Sequence, residues 1–194
     1  TPQMIETLRK EIGLDKPIFV QYVLFIKNIL NGNLGYSIRY CAPIYDLLKQ
    51  KIMVTLFLIS VSLTFSVIIS FPLGYFAAIK ENKIQDQIIR SGALIALATP
   101  QFWTGLVLMI IFAVSMKIFP VGGWGESWPQ HLRSIILPAF TQSLWTGALL
   151  ARNLRNSVID ILKMDYIDFA KSTGLSARVI KKRYIIRNAM IPYV

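Results

Sequence analysis

The sequence is poor in the two residue types that most often bind transition metals. Cys41 is its single cysteine and His131 its single histidine. One cysteine forms no intrachain disulfide, and one residue of each kind builds no structural zinc cluster. With a lone histidine, no Ser-His-Asp constellation is credible either. We therefore expect no metal site and no enzymatic activity in this chain.

Charge is also scarce, above all negative charge. Charged residues make up 16% of the 194 residues, hydrophobic residues make up 54%, and the mean hydropathy is +0.52. Soluble domains average about 25% charged and about 45–50% apolar residues. Only 10 acidic residues stand against 21 basic ones, for a net charge of +11. This composition argues against a disordered chain and a typical cytosolic enzyme, and it is ordinary for a basic membrane protein.

Three long stretches contain no Asp, Glu, Lys or Arg: residues 52–79, 91–116 and 134–151. A helix needs about 20 apolar residues to cross a hydrocarbon core of about 30 Å. We therefore predict an all-α, polytopic transmembrane helical bundle, with the third span at the lower limit of length. The alternative is a set of buried core helices in a soluble protein. Each run contains one proline, which packed membrane helices tolerate: Pro72, Pro100 and Pro138.

The distribution of Lys and Arg predicts the orientation. Residues 80–90 and 152–187 carry an excess of basic side chains, which the positive-inside rule places in the cytoplasm. Residues 117–133 then face the outside. By alternation, residues 1–51 form an extracytoplasmic segment with short helices, and residues 52–194 form the membrane domain.

Small residues recur at every fourth position of the first predicted span. On a helix this spacing makes one seam, along which another helix can approach closely. The seam predicts a tightly packed helix and says nothing of what the protein carries. Its members are Ser62, Ser66, Ser70, Gly74 and Ala78.

The cytoplasmic segment 152–190 has a helix–turn–helix pattern. Apolar residues recur at helical spacing over 158–171, on one predicted face: Ile159, Leu162, Tyr166 and Phe169. Gly174 then has the place of a helix C-cap, and Ser176 that of the N-cap of a basic helix reaching about Ala189. Two short helices bent at a glycine make a rigid knob on which a soluble partner can dock. The simpler alternatives are a plain helix stop at Gly174 and a solvated carboxylate at Asp168.

The stretch from Asp168 to Gly174, with Ile191-Pro192 beyond it, resembles the EAA loop of binding-protein-dependent ABC importer permeases. That loop reads Glu-Ala-Ala, three residues and Gly; Asp168 replaces the Glu, and Phe169 departs from the pattern at the first Ala. The wider chain is similar to permeases of the dipeptide, oligopeptide and nickel type, the first of the two permease subunits. Further matching stretches are Gly13-Leu14-Asp15, Phe102-Trp103 and Leu137-Pro138-Ala139.

The resemblance implies a permease subunit of an ATP-driven importer in the cytoplasmic (inner) membrane of a prokaryote. Its partners would be a second permease subunit, two ABC ATPase subunits that bind ATP-Mg, and an extracytoplasmic substrate-binding protein. This chain would hold no cofactor and would be an internal piece of a six-span protein, with the next span beginning at 190–194. The residues coupling it to an ATPase subunit would be Asp168, Phe169, Ala170, Gly174, Leu175 and Ser176.

The substrate most consistent with the resemblance is a di- or oligopeptide, and the alternative is nickel or a metal chelate. A channel or secondary transporter is a rival reading, but the predicted spans contain none of the ionisable residues typical of ion-coupled carriers. No Walker-type phosphate loop is present, so we expect ATP hydrolysis in another chain. The basic run 178–187 predicts contact with anionic membrane lipid rather than with nucleic acid.

Overall fold

The computed structural model describes residues 16–37 and 39–190. The stretch Gly13-Leu14-Asp15, the pair Ile191-Pro192 and nearly all of the predicted next span at 190–194 lie outside these residues. The chain divides into two compact units, Thr1–Leu56 and Phe57–Val194.

In the first unit, the described residues include helix α1, Ile18–Leu30. Pro17 precedes it, a favourable place because the ring fixes φ and the missing N–H is not needed there. None of the residues of α1 is buried. Two short antiparallel strands follow, β1 (Tyr36–Ser37) and β2 (Ala42–Pro43).

Helix α2, Ile44–Ile79, continues through Pro72 without a break. Its 36 residues reach about 54 Å at 1.5 Å per residue, well beyond a hydrocarbon core. The predicted domain boundary between residues 51 and 52 falls inside this helix, whereas the two compact units divide at 56/57.

The second predicted span, 91–116, is not one straight helix. Helix α3 (Ile84–Ala98) meets helix α4 (Gln101–Leu108), which a π-helical segment continues to Ser115, at an angle of 99°. Thr99 has an extended ψ of 128°, because the ring of Pro100 disfavours the helical conformation in the residue before it. The pair has the length and apolar character of one broken span.

Helix α5, Trp128–Leu162, begins at a capping box formed by Ser127 and Gln130 and runs through Pro138. It continues to Leu162, so the first residues of the predicted coupling loop, from 152 onward, are helical. The apolar positions of its last turns, Leu154 and Val158 among them, are buried and hold those turns in the helix. Like α2, α5 is by itself long and apolar enough to cross a membrane.

The predicted helix over 158–171 is interrupted at 163–164. Helix α6, Asp165–Ser172, starts anew after Met164, whose ψ of 139° is extended. Helix α7 (Ala177–Val179), a π-helical segment (Ile180–Ile186) and helix α8 (Arg187–Ala189) complete the chain to 190. The described residues thus form an all-α protein apart from the two short strands, as the sequence predicts.

A buried hydrophobic cluster lies near the ends of α2 and α5. Leu154 and Val158 of α5 and Ala78 of α2 pack there against Ile167 of α6 and Ile180 of the π-helical segment. This cluster fixes the helices after residue 164 onto the ends of the two long ones.

Candidate functional site

The candidate site is the segment Asp165–Ala189, which we call the cytoplasmic hairpin after the side of the membrane that the sequence predicts for it. Its turn is a Schellman motif: Gly174 N–H donates to the Lys171 carbonyl at 3.0 Å, and Leu175 N–H donates to the Ala170 carbonyl at 3.3 Å. Gly174 has φ +77°, a conformation that glycine adopts at little steric cost. The glycine therefore ends α6 and reverses the chain.

One face of α6 is buried against the body of the protein. Ile167 and Ala170 lie in the cluster at the ends of α2 and α5. Tyr166 and Phe169, which the sequence pattern placed on the apolar face, are exposed instead. Because the helix is interrupted at 163–164, the apolar spacing of residues 158–171 does not continue in phase into α6. The prediction that Tyr166 and Phe169 lie on the buried face was therefore wrong.

The other face of α6 presents apolar side chains to the outside of the unit. Phe169 is 71% exposed, and Leu175 and Val179 across the turn are each 38% exposed. Asp168 is exposed and forms an ion pair with Lys171, Nζ to Oδ1 at 2.8 Å. An exposed apolar surface of this kind can be covered by a partner protein or by lipid.

The remaining predicted coupling residues have different environments. Ala170 is buried, so it supports the hairpin and does not face outward. Ser176 occupies the N-cap position of α7, where its carbonyl accepts the N–H groups of Val179 and Ile180 at 2.9 and 3.1 Å. Its side chain makes no capping hydrogen bond.

Two contacts hold the second arm of the hairpin in place. The Lys181 ammonium lies 4.4 Å from the centroid of the Tyr75 ring of α2. Asn188 Nδ2 donates to the Tyr166 hydroxyl at 3.2 Å. The first contact attaches the hairpin to α2, and the second joins its two arms.

A buried ion pair joins the start of α3 to α5. Arg155 Nε donates to Asp86 Oδ1 and Arg155 Nη2 donates to Asp86 Oδ2, both at 2.6 Å. The Asn82 N–H donates to Asp86 Oδ2 at 3.0 Å, and the Asp86 side chain is 0% exposed. Sequence reasoning missed this pair, because nothing in the local pattern links two residues 69 positions apart.

The predicted small-residue seam faces α5. All five members, Ser62, Ser66, Ser70, Gly74 and Ala78, are buried. A Cβ built on Gly74 would lie 2.6 Å from the Ala151 carbonyl oxygen, so the two backbones almost touch there. Gly147 of α5 likewise faces Ser66. A Cβ built on Gly147 would lie 3.6 Å from the Ser66 carbonyl oxygen.

The lone histidine and the lone cysteine have different surroundings. The ring of His131 stacks on Trp124, with centroids 4.4 Å apart, and its Nδ1 lies 2.9 Å from the Trp124 carbonyl oxygen. Cys41 is exposed. Within residues 16–37 and 39–190, no three His, Cys, Asp or Glu side chains converge in a way that could hold a metal ion.

Comparison with known proteins gives two family matches. Residues 70–194 match the model of the binding-protein-dependent transport system inner membrane component. Residues 1–59 match the N-terminal model of the binding-protein-dependent transport system membrane component.

Three similar proteins carry related names. A glutathione transport system permease protein of Escherichia coli O6:H1 is 34% identical over 192 residues, which cover 99% of this chain and 61% of that protein. One named as a peptide permease of Brucella ovis is 32% identical, covering 100% of this chain and 63% of the relative. One named as a D,D-dipeptide transport system permease of E. coli K12 is 30% identical, covering 98% and 63%. The chain therefore spans less than two thirds of the length of these relatives.

Proposed function

Because the chain belongs to the family of binding-protein-dependent transport system inner membrane components, we propose that it is a permease subunit of an ATP-driven peptide importer. The names of the similar proteins support the substrate class, since they refer to dipeptides, peptides and glutathione. The chain would cross the cytoplasmic membrane of a prokaryote several times and move its substrate by alternating access. It would act with a second permease subunit, two ATPase subunits that bind ATP-Mg, and an extracytoplasmic substrate-binding protein.

The observation that carries the proposal is the cytoplasmic hairpin, with an apolar outer surface and a firmly packed inner one. Phe169, Leu175 and Val179 are exposed around the turn, whereas Ile167 and Ala170 lock its base onto the long helices. An ATPase subunit that covers the outer surface would move the base with it. Since α2 and α5 end in the same buried cluster, that movement would tilt the spans.

The energetic requirement is modest. A ligand shifts a conformational equilibrium only by its difference in affinity for the two states, and about 5.5 kcal/mol reverses a 1:99 population. ATP bound to the partner ATPases supplies this difference in the proposal. The hairpin serves as the mechanical link, and its own side chains perform no chemistry.

The turn is tested by substitutions at Gly174. A Cβ there meets nothing within 4 Å, so any effect of Gly174→Val comes from the positive φ and not from a collision. The left-handed conformation costs an ordinary residue about 1–2 kcal/mol, a factor of about 5–30 in the population of the turn. We expect ATP-driven peptide uptake by the assembled full-length complex in proteoliposomes to fall at least about fivefold.

Gly174→Asn is the matched control, because asparagine tolerates this conformation better than valine does. It should retain most of the uptake. If the valine variant takes up peptide as fast as the wild type, in complexes of equal subunit content, the turn does not have the proposed role. Substrate flux through liposomes without ATP would instead favour a channel.

The outer surface is tested by Phe169→Ala. Burying a phenylalanine side chain contributes about 1.5–3 kcal/mol, so its loss should weaken binding of the ATPase subunits about tenfold or more. Because the ring is exposed, the thermal stability of the permease should not change. Co-purification of ATPase subunits with the full-length permease measures the effect.

Phe102→Ala provides the control for that experiment, since Phe102 is 73% exposed but lies on α4, away from the hairpin. It should leave ATPase co-purification unchanged. If both substitutions reduce co-purification equally, or neither does, Phe169 is not part of the docking surface.

A further inference from the structure

A cavity of about 210 Å³ lies between α3, the last turns of α2 and the second half of α5. Three arginines line it, together with apolar residues of α3 and α5: Arg90, Arg152, Arg155, Leu94, Leu97 and Ala151. Leu94 and Leu97 follow Arg90 by about one and two turns of α3. The lining therefore changes along the cavity from cationic to apolar.

Two of the three guanidinium groups are available to a ligand. Arg155 is engaged by Asp86 through two hydrogen bonds of 2.6 Å. Within residues 16–37 and 39–190, Arg90 and Arg152 have no carboxylate within ion-pair distance and both are exposed. The cavity thus carries two uncompensated positive charges beside a satisfied ion pair.

The sequence places these charges at the edge of the membrane. Arg90 directly precedes the charge-free run 91–116, and Arg152 directly follows the charge-free run 134–151. Their guanidinium groups thus belong at the depth of lipid headgroups, whereas Leu94 and Leu97 lie at the depth of acyl chains. An anion that occupies this cavity has its charge at one end and hydrocarbon at the other.

We propose that the cavity binds the phosphate-bearing headgroup of an anionic phospholipid, with the first part of an acyl chain along Leu94 and Leu97. The planar fork of an arginine side chain matches phosphate oxygens in two parallel hydrogen bonds. Basic pockets between membrane helices are a recurrent form of headgroup recognition. Free phosphate shares the chemistry of the charged end, but it makes no use of the leucine wall.

The test compares two charge-matched variants of the full-length permease in its complex. Arg90→Gln with Arg152→Gln removes both available charges of the cavity while keeping Arg155 for its ion pair. Lys49→Gln with Lys51→Gln removes the same charge from exposed positions of α2, outside both the cavity and the basic run 178–187. Each complex is equilibrated in nanodiscs of phosphatidylglycerol and phosphatidylcholine, and retained lipid is counted by native mass spectrometry. A separate titration uses inorganic phosphate alone.

The proposal predicts that the wild-type complex retains phosphatidylglycerol over phosphatidylcholine and that the cavity variant loses this preference about tenfold or more. The Lys49/Lys51 variant should keep it. If both variants lose the preference for phosphatidylglycerol equally, diffuse surface charge explains it and the proposed site is wrong. Unchanged retention in the cavity variant overturns it too, as does saturable binding of inorganic phosphate without lipid preference. The readout does not depend on transport, so failure of the proposed function leaves this result interpretable.

Discussion

Replacing Arg155 with alanine is expected to lower the free energy of unfolding of the helical unit by about 3–5 kcal/mol. The substitution leaves the Asp86 carboxylate, 0% exposed, without the guanidinium that neutralises it. Removing one member of a buried pair is costly because the remaining charge has lost both its water and its partner. Thermal unfolding of the purified full-length permease in detergent measures the loss, and peptide uptake should fall with it.

Two further variants separate the charge from the side-chain volume. Asp86→Leu combined with Arg155→Met removes both charges and should recover most of the lost stability, since an apolar pair of similar volume has no desolvation cost. Arg178→Ala removes an exposed arginine and should change stability by less than about 0.5 kcal/mol. If the double variant is as unstable as Arg155→Ala, packing of the arginine stem rather than the ion pair holds α3 to α5.

Replacing Gly74 with leucine is expected to cost about 3 kcal/mol and to separate α2 from α5. Even a single Cβ there would lie 2.6 Å from the Ala151 carbonyl oxygen and 3.0 Å from the Leu154 Cβ. The first of these atoms is backbone, so relief requires the helices to move apart. Because α2 and α5 carry the cytoplasmic hairpin, we expect both thermal stability and transport to fall.

Gly92 and Gly147 supply graded controls. A Cβ at Gly92 meets nothing within 4 Å, so Gly92→Ala should be neutral or stabilise by up to about 1 kcal/mol through helix propensity. At Gly147 the nearest atom is 3.6 Å away, an ordinary contact, so Gly147→Ala should be tolerated. If Gly74→Ala is as stable as Gly92→Ala, the close approach at Gly74 does not govern the packing.

Sequence reasoning reached the features that depend on local pattern. The four-residue spacing of small side chains predicted a packed face on α2, and the structure has Ser66 and Gly74 buried there. The positive φ at Gly174 agrees with a helix that ends at that glycine. The family resemblance is confirmed over both matched regions of the chain.

Features that depend on distant residues or on helical phase were out of reach. Asp86 looked like one charge in a cytoplasmic link, because its partner is 69 residues away. The new start of a helix after Met164 turns Phe169 outward, and no residue type at that point forces the break. Ile180 and Ile185 are both buried although five residues apart, a spacing that suits the wide turn of a π-helix rather than an α-helix.

The bend at Thr99–Pro100 limits what can surround the second span. Pro100 has no N–H, so it donates no helical hydrogen bond to the Ala96 carbonyl, and Thr99 adds an extended residue to the gap. Acyl chains offer no hydrogen bonds, and backbone released in this way is tolerated at membrane depth only beside protein or water. The corner between α3 and α4 must therefore be turned away from the lipid. Whether the pair is a broken span or a re-entrant loop, this requirement places protein or water, and not acyl chains, against the corner.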